Sequence, residues 1–226
     1  MLRLLARGKI NWSLDILGKR PDGYHEMDML TGAVELADEL TLTDADTVSL
    51  HVEGNGTLSD TDNLVLKAAD ALRAAAGCEK GALCTLTKRI PVGAGMGGGS
   101  ADAAAALIGL NRLWRTALTE EQLAAIGLSV GADVPFLLIG GFARVGGIGE
   151  KIEAFPAPPA VPLMIVQPCR PVSTREAFAG FDALPRVAHP RTDTALRALQ
   201  RGDLAALSTA ARSEEHTSEL QSLRTI

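Results

Sequence analysis

Apolar and polar positions alternate loosely along Lys9 to Leu17, Met27 to Leu36, Glu39 to Thr43 and Val48 to Glu53, and again from Ala82 to Lys88. A period of two predicts strands there. Leu64 to Ala76 instead reads as a helix, with Asp62 or Asn63 placed to cap its start and Gly77 to end it. Thr119 followed by Gln122 forms a capping-box pattern for a helix ending near Ile126. Gly18-Lys19-Arg20-Pro21-Asp22-Gly23 and Gly54-Asn55-Gly56 have turn chemistry. Further on, Leu163 to Val166 reads as a short buried strand. Thr174 to Phe178 begins a helix, and Thr192 to Leu199 and Leu204 to Ala211 look helical. Strands and helices mix without strict βαβ alternation, which predicts an α+β fold. Pro156, Pro158, Pro159 and Pro162 mark a change of register, predicting one domain over residues 1–155 and a second over 156–211.

One stretch fits neither period. Pro91-Val92-Gly93-Ala94-Gly95-Met96-Gly97-Gly98-Gly99-Ser100 is a glycine-dense loop that turns into an alanine-rich helix reaching about Trp114. Glycine reaches φ > 0 and lets backbone approach a ligand, at an entropic cost that something should offset. Free N–H groups and the positive dipole end of a helix suit a phosphate. The other reading is a tight strand-to-helix connection. The loop lacks G-x-x-x-x-G-K-S/T, because Gly99-Ser100 stands where Lys-Ser/Thr belongs. The dinucleotide spacing G-x-G-x-x-G is met only formally, since Lys88-Arg89-Ile90-Pro91 makes a poor buried strand.

Composition narrows the classes. The chain has 226 residues, 46% hydrophobic and 22% charged, enough for a real core. A net charge of −5 gives no sign of a nucleic-acid or anionic-membrane surface. Cys78, Cys84 and Cys169 lack metal-site spacing and fit free thiols in a reducing cytoplasm. No run approaches a membrane span, and Met1 to Arg7 has no signal-peptide core.

Several residues are candidates for chemistry, each with a plain structural alternative. Asp133, in Gly131-Ala132-Asp133-Val134-Pro135, is expected on a fixed extended loop, because Pro135 biases Val134 away from the α region. Its carboxylate would accept a proton from, or orient, a substrate hydroxyl, or else cap a turn. Lys9 would pair with Asp133 if it points inward, or sit solvated on an edge strand. Tyr24 and His25 would stack on and hydrogen-bond a planar base, or lie solvated at a hairpin end. Ser100 would touch phosphate or Mg²⁺, or simply begin a helix. Asp102 is expected in the first helical turn, complementing the dipole.

Taken together, Lys9-Ile10-Asn11, Arg20-Pro21-Asp22-Gly23-Tyr24-His25, the run from Pro91 to Ser100 and Gly131-Ala132-Asp133-Val134-Pro135 occur in the order seen in the GHMP small-molecule kinases. From about residue 6 to 211 the chain resembles that family. The resemblance implies a two-domain GHMP kinase fold: an N-terminal domain like domain 2 of ribosomal protein S5, and an α+β C-terminal domain, incomplete here. It implies phosphoryl transfer from ATP with Mg²⁺ to an alcohol. The Pro-Asp-Gly-Tyr-His and Gly-Ala-Asp-Val-Pro stretches point to an acceptor carrying a cytidine diphosphate group, on the non-mevalonate isoprenoid route. By the family pattern, Asp133 is base or orienter and Lys9 supports it. Asn11 faces the substrate, and Tyr24 and His25 hold the cytosine ring. Pro91 to Ser100 cradle the phosphates, with Ser100 reaching Mg²⁺. Val172-Ser173-Thr174 is a further substrate-side segment. Two alternatives stay open: a catalytically silent nucleotide-binding module, and a kinase for homoserine, mevalonate or a sugar.

The chain departs from the family at Arg7-Gly8, where Pro-Ala is commoner, and at Ala101, where serine is commoner. The family also runs about 70 residues further, with a third glycine-rich motif. Residues 212–226 do not continue the preceding amphipathic pattern, and Arg212 to Ser222 reads as a translated sequencing adapter, so a non-native tail is expected after Ala211.

Overall fold

The computed structural model describes residues 1–53, 62–167, 174–183 and 189–211. Two strands are far longer than the alternation indicates: β1 (Leu2–Lys19) and β2 (His25–Ala45), paired with each other. The predicted break at Ala37-Asp38 is absent. Aspartate is poor in strands, but here the Asp38 carboxylate is fully buried and hydrogen-bonded. The turn between β1 and β2 forms as its chemistry indicates. The Asp22 carboxylate accepts the Tyr24 N–H at 3.1 Å, and Gly23 takes φ +87°.

The chain divides into two compact units, each assembled from discontinuous segments. The first comprises Met1–Lys9, Ala33–Pro91 and Met96–Gly140. Here β4 (Gly81–Thr87) pairs antiparallel with β2, from Glu39↔Thr87 to Ala45↔Gly81. It also pairs in parallel with β3 (Val48–Glu53). The connection between these parallel strands contains α1 (Leu64–Ala76), a single βαβ unit within the α+β fold. Asn63 caps α1 by accepting the Val65 N–H at 2.9 Å, and Gly77 ends it at φ 58°. Next come α2 (Gly98–Trp114), α3 (Glu120–Val130) with its Thr119–Gln122 capping box, and α4 (Val134–Ile139). Leu40, Leu42, Leu72, Leu86, Leu107 and Trp114 are core residues of this unit. Each such leucine contributes about 1.5–3 kcal/mol on burial. Alanines and a glycine let α2 pack closely: a Cβ on Gly109 would stand 2.4 Å from Leu42 Cδ1.

The second unit comprises Ile10–Gly32, Val92–Gly95 and the chain from Gly141 onward. Its strands β5 (Phe142–Gly147) and β6 (Lys151–Phe155) lack a clear sequence signal. β5 pairs antiparallel with the first part of β2, from Met27↔Gly147 to Gly32↔Phe142, and β6 pairs antiparallel with β5. Helices α5 (Thr174–Asp182), α6 (Thr192–Arg201) and α7 (Leu204–Ala210) belong to it. Leu30, Phe142, Leu199 and Leu207 share its core. The expected strand at Leu163–Val166 does not form, and these four side chains are exposed. Hydrophobicity alone does not make a strand, because the backbone groups need a ladder partner. None pairs with this run among the described residues. No helix among the described residues is long and apolar enough to cross a membrane.

Candidate active site

The glycine loop uses its glycines conformationally. Gly93, Gly95 and Gly97 have φ of 70°, 69° and 64°, a region where an L-residue costs about 1–2 kcal/mol. Gly97 is the N-cap of α2, and no side chain caps the helix. The N–H groups of the first turn, Gly98-Gly99-Ser100, therefore gain no side-chain cap from Gly97 and sit at the positive end of the dipole of a 17-residue helix. Met96 buries its side chain and accepts the Lys9 N–H through its carbonyl at 2.9 Å, which ties the loop to β1. In the second unit, the Val92 carbonyl accepts from Gln167 Nε2 at 3.3 Å.

Lys9 is not a solvated edge residue: it is 5% exposed. Its ammonium lies 3.5 Å from Asp133 Oδ1. Burying an ammonium requires such a partner. Asp133 departs from the expected extended loop. It has φ −81° and ψ −15° and immediately precedes α4. Proline costs little at the start of a helix, where its missing N–H would have no intrahelical acceptor, so Pro135 sits in the first turn without breaking it. Nor does the Asp133 carboxylate cap the helix, which leaves it facing Lys9. A Cβ on Gly131 would stand 3.3 Å from Ser100 Oγ, placing that hydroxyl against the loop that carries Asp133.

Gly97 fits this corner tightly. A Cβ there would stand 3.2 Å from Lys9 Cγ, 3.3 Å from Lys9 Cε and 3.4 Å from Asp133 Oδ2. Gly97→Ala combines that crowding with an unfavourable φ. It is expected to lower stability by about 1–2 kcal/mol and to reduce kcat more than the melting temperature alone would explain. Chemical denaturation alongside turnover measures both effects. A variant with unchanged kcat would show that the Lys9–Asp133 spacing is not critical.

Asp102 falls in the second turn of α2, not the first, because the helix begins at Gly98. It is 3% exposed and meets Lys88 Nζ at 2.6 Å instead of solvent near the dipole. Burial pushes its carboxyl up to about 7, against the opposing pull of the Lys88 ammonium. Of the cysteines, Cys84 is buried and its thiol pushed up to about 11 by desolvation, so it is an inert packing residue. Cys78 is partly buried and free, and Cys169 lies outside the described residues. No group of three or more His, Cys, Asp or Glu that could hold a metal ion occurs among the described residues.

The remaining predicted residues lie in the second unit. Asn11 accepts a hydrogen bond from the buried Thr31 hydroxyl at 3.1 Å. Tyr24 is 60% exposed at the hairpin end. His25 is buried, stacked on Phe178 at 4.6 Å and 8°, with Phe181 edge-on at 6.5 Å. Its Nε2 meets Asp182 Oδ1 at 2.7 Å. An ionised carboxylate only accepts, so Nε2 donates, and a neutral ring keeps Nδ1 as an acceptor. The Lys19 ammonium and the His25 ring hold the Asp182 carboxyl below its usual value. Phe178 and Phe181, which sequence reasoning did not select, follow an i,i+3 spacing that puts them on one helix face. Val172 and Ser173 lie outside the described residues, and Thr174 opens α5.

Residues 63–141, which hold the loop and Asp133, match the model of the GHMP kinases N terminal domain. A 4-diphosphocytidyl-2-C-methyl-D-erythritol kinase from Pelotomaculum thermopropionicum is 45% identical over 208 residues, covering 91% of this chain and 72% of the relative. The enzyme of that name from Bacillus pumilus is 43% identical over 200 residues, covering 88% and 69%. Among solved structures, a 4-(cytidine 5'-diphospho)-2C-methyl-D-erythritol kinase superposes with a TM-score of 0.69 at 32% identity, covering 89% of this chain and 72% of that one. Mevalonate kinase from Methanococcus jannaschii shares the fold, with a TM-score of 0.61 at 12% identity over 92% and 72%. With this fold, a buried Lys9 facing Asp133 beside the glycine loop, and such identity over most of its length, the chain belongs to the 4-diphosphocytidyl-2-C-methyl-D-erythritol kinase family of GHMP kinases.

Proposed function

We propose that this chain transfers the γ-phosphoryl group of ATP to a hydroxyl of 4-diphosphocytidyl-2-C-methyl-D-erythritol, a step in making isoprenoid precursors. The observation that carries this reading is the buried Lys9 ammonium 3.5 Å from Asp133, against the Gly97 cap of α2. Phosphoryl transfer needs positioning and charge stabilisation more than covalent chemistry. The helix N-terminus and the glycine amides take the phosphates. Asp133 accepts the hydrogen bond of the acceptor hydroxyl and takes up its proton as the new P–O bond forms, while the bond from the γ-phosphorus to the β,γ-bridging oxygen breaks and ADP leaves with that electron pair. Lys9 pairs with Asp133 and offsets charge on the transferring group. Mg²⁺ accompanying ATP would screen the phosphate charge, with the protein supplying few of its ligands. Ser100 Oγ is the protein oxygen proposed for it.

In the second unit, exposed Tyr24 offers a face to the cytosine ring, His25 a ring nitrogen and Asn11 an amide. Val172-Ser173-Thr174 is assigned to the same substrate. The buried Lys9 ammonium held 3.5 Å from the partly exposed Asp133 carboxylate supports the kinase reading over a silent module, because it leaves that carboxylate open to a substrate hydroxyl. The test is ATP-dependent phosphorylation of the cytidine-bearing acceptor, with cytidine diphosphate and uridine diphosphate as competitors. Tyr24→Ala is expected to raise the acceptor KM about tenfold, the scale of one lost base stack, leaving the ATP KM unchanged. Phosphorylation of homoserine or mevalonate instead, without competition by cytidine diphosphate, would overturn the substrate assignment.

A further inference from the structure

A second set of charged side chains lies in the first unit, apart from Lys9 and Asp133. Asp38, on β2, is fully buried. Its Oδ1 accepts the N–H groups of Arg89 at 2.5 Å and Ile90 at 2.8 Å, the residues that carry the chain from β4 into the glycine loop. Its Oδ2 accepts from Lys88 Nζ. The same ammonium donates to Asp102 Oδ2 at 2.6 Å, on the helix that leaves the loop. The other Asp102 oxygen is buried with no hydrogen-bond partner among the described residues, so this carboxyl group is held through Oδ2, by the Lys88 ammonium and beside the Asp38 carboxylate. A Cβ on Gly98 would stand 3.4 Å from Lys88 Nζ and 3.0 Å from Ile90 Cγ2. The ammonium thus lies directly beneath the first residue of α2.

We propose that Asp38, Lys88 and Asp102 form an ionic strut that fixes the two ends of the glycine loop relative to each other, making Lys88 a positioning residue for ATP. This rests on the reading of the loop as the ATP phosphate site. The side chains of Lys88, Asp38 and Asp102 are 12%, 0% and 4% exposed, so the set is not a solvent-screened surface pair of little consequence. Two carboxylates share one ammonium, a poor arrangement for stability alone, since buried ion pairs barely recover their desolvation. What the strut supplies is geometry. Five of the seven residues from Gly93 to Gly99 are glycine, and such a chain has many conformations to lose on binding. Holding both ends lowers that entropic cost before the nucleotide arrives.

Amide hydrogen exchange and calorimetry on the whole chain test this. In Lys88→Met, amides from Arg89 to Ser100 are expected to exchange about tenfold faster, while those of α6 are unchanged. The Kd for ATP rises about tenfold and the Kd for adenosine, which has no phosphates, stays the same. Lys88→Arg restores most of both. If Lys88→Met does not fold, Asp102→Asn, which can still accept from Lys88, is compared with Asp102→Ala. Faster loop exchange and weaker ATP binding in the alanine variant alone support the strut. Unchanged loop exchange overturns it, as does an equal loss of ATP and adenosine affinity, which would place Lys88 against the base instead. Failure of the unaltered chain to bind ATP overturns the phosphate-loop reading, and the exchange data still decide whether the strut orders the loop.

Discussion

Replacing Asp133 with asparagine is expected to lower kcat by about 10²–10³-fold, the scale for losing a group used mainly in the transition state. The Kd for ATP should change by less than about threefold, since ATP is assigned to the glycine loop and helix N-terminus. Asparagine has the same shape and still accepts a hydrogen bond, but it cannot take up the hydroxyl proton. It also removes the charged partner that the buried Lys9 ammonium has among the described residues. Single-turnover kinetics with a melting curve on the same preparation separate lost chemistry from lost folding. Lys9→Met should fall in the same range. The double variant should be little worse than either single one, because residues that act as a unit are not additive. If Asp133→Asn keeps more than about a tenth of wild-type kcat, Asp133 is an orienting residue and not the base.

Gly81→Ala should be the most damaging small substitution to the fold. Gly81 opens β4 opposite Ala45 in the antiparallel register. A Cβ there would stand 2.4 Å from the Thr47 nitrogen, 2.5 Å from the Ala45 oxygen and 2.6 Å from the Asp46 carbonyl carbon. These are backbone atoms of the tight connection between β2 and β3, so no side chain can rotate away. Relief requires moving the strand end, and the Gly81 carbonyl accepts the indole N–H of the buried Trp114 at 2.9 Å. The displacement would therefore reach the last turn of α2. Overpacking of this kind costs about 3 kcal/mol or more when the neighbours cannot yield. Urea denaturation followed by tryptophan fluorescence should show a lower midpoint with an unchanged m-value. A loss below about 0.5 kcal/mol, the range of ordinary surface changes, would mean the connection repacks freely.

These two residues also mark what can be read locally. Asp133 stands out in its Gly-Ala-Asp-Val-Pro setting, whereas nothing around Gly81 signals that backbone crowds it. Caps behaved like Asp133. Asn63, Gly77 and the Thr119–Gln122 box act within a few residues, so α1 and α3 begin where their chemistry indicates. Pro135 misled for the converse reason. Its effect on Val134 is a bias that one helical turn can override when the proline falls where no N–H is needed. The strands β5 and β6 escaped notice because both are short, β5 ends in two glycines, and each gains definition from a neighbour, β5 from β2 and β6 from β5. Leu163 to Val166 erred in the other direction: its apolar character was plain, but pairing depends on a neighbour.

The amino-acid sequence by itself determined the α+β class, the glycine loop ahead of an alanine-rich helix, and the family, because motif order and cap chemistry are local properties of the chain. Tertiary structure alone decided that Lys9 is buried against Asp133, and that Asp102 turns inward to Lys88 and Asp38. It also brought Phe178, Phe181 and Asp182 around His25, residues more than 150 positions away in the chain. The physical reason is the same in each case. Whether a charge or a ring is solvated depends on which distant segments pack over it, and a carboxylate or ammonium takes its function from the partner that burial imposes.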